Sequence, residues 1–208
     1  MAELGGPVVV KLGGSFAFSA TLRSWIGALD QCGGRVVVVP GGGPFAETVR
    51  TSQARMGFDD RAAHHMALLA MEQYGRALIS LGASLSPAAS ADSIRRELAA
   101  ARVPVWMPTR MVLDADDIAQ SWAVTSDSLA AWLAGRIGAR WLVLVKQVRP
   151  AGVATVAELA AADLVDQEFG RHLQRSGAKA LIFGPTEHEA MLAFLRGGGP
   201  AGGAVELS

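Results

Sequence analysis

Thiol chemistry is nearly absent from this sequence: 208 residues hold one cysteine, Cys32. No internal disulfide can form, and a reducing compartment, the cytoplasm, is the expected location. Net charge is absent too, since 19 Lys+Arg balance 19 Asp+Glu. That balance argues against nucleic acid or an anionic membrane as a partner. Long apolar runs are missing. Runs such as Val36–Val39 and Leu142–Val145 are strand-sized, far short of the ~20 residues that cross a bilayer. At the N-terminus Glu3 and Gly5-Gly6 stand where a basic segment and an apolar stretch would mark a secretory leader. No G-x-x-x-x-G-K-[ST] loop occurs, nor any H-E-x-x-H or Cys/His cluster for a transition metal. Lysine is scarce: Lys11, Lys146 and Lys179 are the only three among the 19 basic residues.

What is present is an alternation. Short β-branched runs, Val8–Leu12, Arg35–Val39, Val103–Trp106, Trp141–Val145 and Lys179–Phe183, alternate with Ala/Leu-rich segments of helical period. The helical candidates are Ser19–Gln31, Phe45–Arg55, Asp60–Leu81, Ser93–Ala101, Ser126–Ile137, Gln167–Arg175 and Glu187–Leu195. A last short strand is expected over Gly203–Leu207, after the glycines at 197–199 and Pro200. Uninterrupted apolar strands fit a sheet covered on both faces, hence an α/β fold with a mostly parallel sheet. The stretch Ser84–Ser90 (SLSPAAS) reads as a loop. No repeat or linker divides the chain, so residues 1–208 read as one domain.

Two glycine loops follow strands. One is Lys11-Leu12-Gly13-Gly14-Ser15, the other Pro40-Gly41-Gly42-Gly43-Pro44. Glycines at strand ends let backbone N–H groups approach an anion, and a following helix N-terminus adds to the attraction. Loops from neighbouring strands would share the carboxyl edge of one sheet, where open α/β sheets bind ligands. Lys11 is costly inside an apolar strand unless it meets an opposite charge or a phosphate; the competing reading is a solvent-facing lysine on an edge strand. A dinucleotide fingerprint fits poorly, because Asp59 and Asp60 would have to end a second strand and the residues before them look helical.

These residues, with Thr125–Ala130 (TSDSLA) opening a helix, resemble the amino acid kinase family. The resemblance implies a three-layer αβα sandwich, with an acceptor-binding half over about residues 1–120 and a nucleotide-binding half over about 121–208. It implies an ATP-dependent phosphotransferase with Mg2+ carried largely by the nucleotide's phosphates. Lys11 would neutralise the transferred phosphoryl group, assisted by Gly13, Gly14 and Ser15. Gly41, Gly42 and Gly43 would hold a small-molecule phosphate acceptor, with His64 a candidate contact. Asp127 would order the lysine, and Ser126, Ser128 and Lys146 would face the nucleotide. Homo-oligomers are usual in the family, and the Met/Ala-rich side of Asp60–Leu81 is a candidate dimer surface. Within the family, the segments 64–75 and 121–128 and the chain length resemble the short kinases that phosphorylate an aminomethylfuran phosphate during synthesis of methanofuran-type cofactors.

The chain also departs from the family pattern. The strand 141–145 runs into Lys146-Gln147-Val148 where a polar pair such as Thr-Asp is common, and the C-terminal Gly-Gly-Met-x-x-Lys is absent. Lys146 or Lys179 would have to supply the second lysine. A non-catalytic member that binds nucleotide or oxyanion, as a storage or partner subunit, is the alternative. The five tryptophans are expected mostly in the core or at interfaces.

Overall fold

A computed structural model describes residues 5–199 and 202–207. Glu3 and Pro200, used in the sequence reading, lie outside the described residues. In chain order the elements are β1 (Val8–Leu12), a 3-10 turn (Gly14–Phe16), α1 (Leu22–Asp30), β2 (Val36–Pro40), α2 (Gly43–Met56), α3 (Asp60–Leu81), β3 (Leu85–Ala88), α4 (Ala91–Ala99) and β4 (Val103–Trp106). There follow α5 (Thr109–Leu113), α6 (Ser126–Ile137), β5 (Trp141–Val145), β6 (Ala154–Thr155), α7 (Val156–Ala161), α8 (Phe169–Ser176), β7 (Lys179–Phe183), α9 (His188–Leu195) and β8 (Gly203–Glu206). The strands form one sheet in the order β3-β4-β2-β1-β5-β7-β8-β6. Its pairings are parallel except β7 with β8.

Strand alternation assigns the two faces. Val9, Val37, Val39, Leu142 and Leu144 pack with α6 and α8 on one side. Val8, Val10, Leu12, Val36, Val38 and Val143 pack with α1 and α9 on the other. The result is the expected three-layer αβα sandwich. Lys11 shares the face of Val9 and so points toward α6. Because β1 lies between β2 and β5, it is a central strand, which overturns the edge-strand reading of Lys11.

Ser84–Ser90 is corrected: Leu85–Ala88 is an edge strand paired with β4. Pro87 misdirects the reading, since proline reads as a loop residue, yet an edge strand tolerates it where no ladder donor is required. Helix ends shift by a few residues from expectation, as fraying termini do. Cys32 is buried, its Sγ 3.2 Å from the Ala28 carbonyl, and burial pushes the thiol up to about 11. No helix among the described residues is long and apolar enough to cross a membrane.

Candidate active site

The two glycine loops meet at the carboxyl edge of β1 and β2. A Cβ on Gly14 would lie 2.2 Å from the Gly43 nitrogen, and one on Gly41 would lie 2.3 Å from the Gly14 nitrogen, so neither position accepts a side chain. Two amides of these loops are already used. Gly13 N–H donates to the Val145 carbonyl at 3.3 Å and Gly41 N–H to that of Leu12 at 2.9 Å. The expectation that all five glycines offer donors is therefore narrowed. The N–H groups left without a protein acceptor among the described residues are those of Gly14, Ser15, Gly42 and Gly43. Gly42 is the N-cap of α2, Gly43 takes φ +56°, and Pro44 opens the helix, where a missing N–H costs nothing. Four free donors on two touching loops beside a helix N-terminus make a cradle suited to an anion.

Beside the cradle stands an ionic triad. Lys11 Nζ lies 2.8 Å from Asp127 Oδ1, and Lys146 Nζ 2.7 Å from Oδ2. Lys11 and Asp127 are each 5% exposed. Burial alone would raise the Asp127 carboxyl, but the charges of Lys11 and Lys146 outweigh it and hold it below the usual carboxylate range. Two ammonium groups against one carboxylate leave a net positive charge where little water competes, which suits an incoming phosphate. Of the two lysines expected as candidates for a second charge, Lys146 stands in this triad. Lys179 does not: it is exposed and rides over Trp141 at 5.7 Å.

Asp127 is free for the lysines because another acid caps its helix. Thr125 makes no side-chain cap to α6. Instead Asp166, in the loop after α7, accepts from Thr125 N–H at 2.9 Å, Thr125 Oγ1 at 2.7 Å and Ser128 N–H at 3.1 Å, and also from Ser128 Oγ. Ser128 is fully buried with its hydroxyl committed to Asp166. The expectation that Ser128 faces a nucleotide is thereby corrected. Sequence reasoning missed Asp166, whose partners lie 38 and 41 residues away and follow no readable spacing.

A cavity of about 200 Å³ opens from Gly42 and Ser126 along α2 and α3. Its walls include Ala46, Leu68, Met71 and Leu129, with His64, Arg50 and Trp122 as polar or aromatic members. Ser126 thus faces this cavity. His64 is 4% exposed and its Nε2 has no hydrogen-bond partner among the described residues. Burial lowers the His64 pKa, a hydrogen bond with the Ser121 main chain partly opposes this, and His65 lowers it further, so the imidazole is neutral near pH 7. His65 points to solvent. Trp122 is the one tryptophan lining the cavity, while Trp25 and Trp106 are fully buried as expected.

The sequence profile of the amino acid kinase family matches residues 6–155. The chain belongs to the amino acid kinase family. A relative from Methanocaldococcus jannaschii, [5-(aminomethyl)furan-3-yl]methyl phosphate kinase, is 25% identical over 142 residues, a match covering 67% of this chain and 65% of that protein's length. Among solved structures, uridylate kinase from Archaeoglobus fulgidus superposes with a TM-score of 0.73 at 19% identity, over 96% of this chain and 99% of that one. UMP kinase from Ureaplasma parvum gives 0.70 at 16%, over 97% and 99%. At these identities the solved structures speak to the fold, which agrees with the three layers described.

Proposed function

We propose that this member of the family is an ATP-dependent kinase acting on a small phosphate monoester. The observation that carries the reading is the Lys11–Asp127–Lys146 triad beside four unpaired backbone donors. Phosphoryl transfer asks mainly for positioning and for neutralising charge on the moving group, and these residues supply both. In this reading Gly42 and Gly43 hold the acceptor's phosphate, and Gly14 and Ser15 hold the transferred group. Lys11 and Lys146 spread positive charge over its oxygens, while Asp127 keeps both ammonium groups in place.

Asp127 presents both oxygens to lysines, and no cluster of three metal-binding side chains occurs among the described residues. Magnesium would accordingly arrive on the nucleotide and offset its phosphate charge. The loop after β5 carries Lys146 at its root and the exposed Val148 and Val153. Beside it lies a cavity of about 390 Å³ walled by residues of β6 and α7, an apolar surface suited to a nucleotide base. The finer proposal, by similarity to the archaeal relative, is that the acceptor shares the ring-bearing methyl phosphate part of that protein's substrate, within synthesis of a methanofuran-type cofactor, while the cavity's remote end decides the substituent on the far side of the ring.

The test is phosphorus NMR of the purified protein with ATP, magnesium and a panel of phosphate monoesters that includes the aminomethylfuran phosphate. A new diphosphate signal is expected with at least one acceptor, and Lys11→Ala should abolish it. ATP left unconsumed with every monoester would end this reading.

A further inference from the structure

The acceptor cavity has a far end. Gly42, Ala46 and Arg50 are spaced four residues apart on one side of α2 and all line it. Arg50 therefore stands roughly 12 Å along the helix from Gly42, at 1.5 Å per residue. Between them the lining is apolar. At the far end the Arg50 guanidinium lies over the Trp122 ring, its Cζ 4.1 Å from the centroid. Trp122 is itself braced, its Nε1–H donating to Gln53 Oε1 at 2.6 Å. Gln53 is turned that way because its amide nitrogen donates to Asp60 at 2.8 Å and to the Phe58 carbonyl at 3.3 Å. Arg50 has no ion pair or side-chain hydrogen bond among the described residues.

A guanidinium stacked on an aromatic ring keeps the donors at its edge available. Among the described residues no carboxylate lines this cavity, and Asp60 reaches it only through Gln53. His64 is part of the wall, and its Nε2 is buried without a hydrogen-bond partner among the described residues, a state that is costly until a polar atom meets it. The chemistry from one end to the other is thus backbone donors, an apolar slot with one unmet imidazole nitrogen, and a fixed cation with unmet donors.

We propose that Arg50 and Trp122, braced by Gln53, determine acceptor specificity at the end remote from the transferred phosphate. The acceptor is a flat-ringed phosphate monoester whose remote substituent is uncharged or anionic rather than an ammonium. This rests on the kinase reading for its orientation, with the phosphate at Gly42 and Gly43. It separates this chain from a simple transfer of the archaeal relative's aminomethyl substrate, because an ammonium at this end would meet Arg50 and no counter-charge.

The experiment measures binding, without ATP, of benzyl phosphate, 4-carboxybenzyl phosphate and 4-(aminomethyl)benzyl phosphate by calorimetry to the whole protein and to Arg50→Ala. Arg50 is exposed, so the variant is expected to fold, with circular dichroism and Tm as controls. The carboxy compound should bind about tenfold more tightly than the aminomethyl one, the difference a single charged hydrogen-bonding group commonly makes. In Arg50→Ala that difference should collapse. Equal or tighter binding of the aminomethyl compound overturns the proposal, as does an unchanged ratio in Arg50→Ala or no binding by all three. Adding ATP and magnesium afterwards separates the two ideas. The expected binding order without any diphosphate product would leave the specificity assignment standing while the kinase reading fails.

Discussion

Lys146 is held against Asp127 in a nearly dry setting, and its acidity follows from that. Burial pushes its pKa down, the neighbouring Lys11 charge pushes it further, and Asp127 restores part of the loss, leaving it at about 8. Below that value the ammonium is present to receive a phosphate, and above it the charge is lost. In the proposed mechanism kcat therefore falls on the alkaline side with a midpoint near 8, and Lys146→Arg moves that limb upward, since guanidinium stays charged. A pH–rate profile flat to pH 10 would remove Lys146 from the mechanism. For stability the sign is opposite. A lysine depressed on folding costs most below pH 8, and the cost is relieved as pH rises from 8 toward the unfolded value near 10.4.

Asp127→Asn leaves two buried ammonium groups without a counter-charge. Urea denaturation should show a loss of about 3–5 kcal/mol, the usual range for breaking one side of a buried ion pair. At this scale Lys11 and Lys146 are legible in the sequence because lysine is rare there and both sit at strand ends. Arg50, Trp122 and Asp166 are not, because their partners are brought to them only by the packing of segments distant in sequence.

Among elements, α6 is the one whose placement governs the site. Its first turn carries Asp127 toward β1 while Asp166 closes the end of the helix from a separate loop. Asp166→Ala removes the acceptor of two amides and two hydroxyls. It is expected to cost about 2–3 kcal/mol, read as a lower Tm, and to reduce kcat more than it changes KM. An unaltered kcat in a folded Asp166→Ala protein would show that Asp127 needs no such brace.

Gly14→Ala tests the seam between the loops, because its Cβ would fall 2.2 Å from the Gly43 backbone nitrogen and backbone cannot yield as a side-chain tip can. Activity should be lost while circular dichroism still shows a folded protein. Legibility at this scale follows burial. Strands hidden on both faces read clearly as unbroken apolar runs, whereas β3, an edge strand containing Pro87, reads as a loop because half of it faces solvent.

The described residues form two cores on either side of one sheet, and two histidines, His64 on α3 and His172 on α8, are buried beside the core on the α6 side. Burial lowers the pKa of both His64 and His172. Each takes up a proton less readily when folded than when unfolded. Stability from this source is present above the ordinary histidine pKa of about 6.5 and is lost as pH falls below it. The urea midpoint should therefore drop between pH 7 and pH 5, and His172→Phe should flatten that slope. The layered architecture was legible from the alternation of runs; the cavity was not, because its walls come from α2, α3 and the segment before α6.

The contact between the glycine loops has a thermodynamic consequence. In the proposed mechanism the amides that hold the acceptor's phosphate and those that hold the transferred group belong to two loops that touch, so a ligand that stills one loop has already met part of the ordering cost of the other. Such coupling is reciprocal by necessity. The two substrates of this site would each raise the other's affinity by the same factor, whichever arrives first.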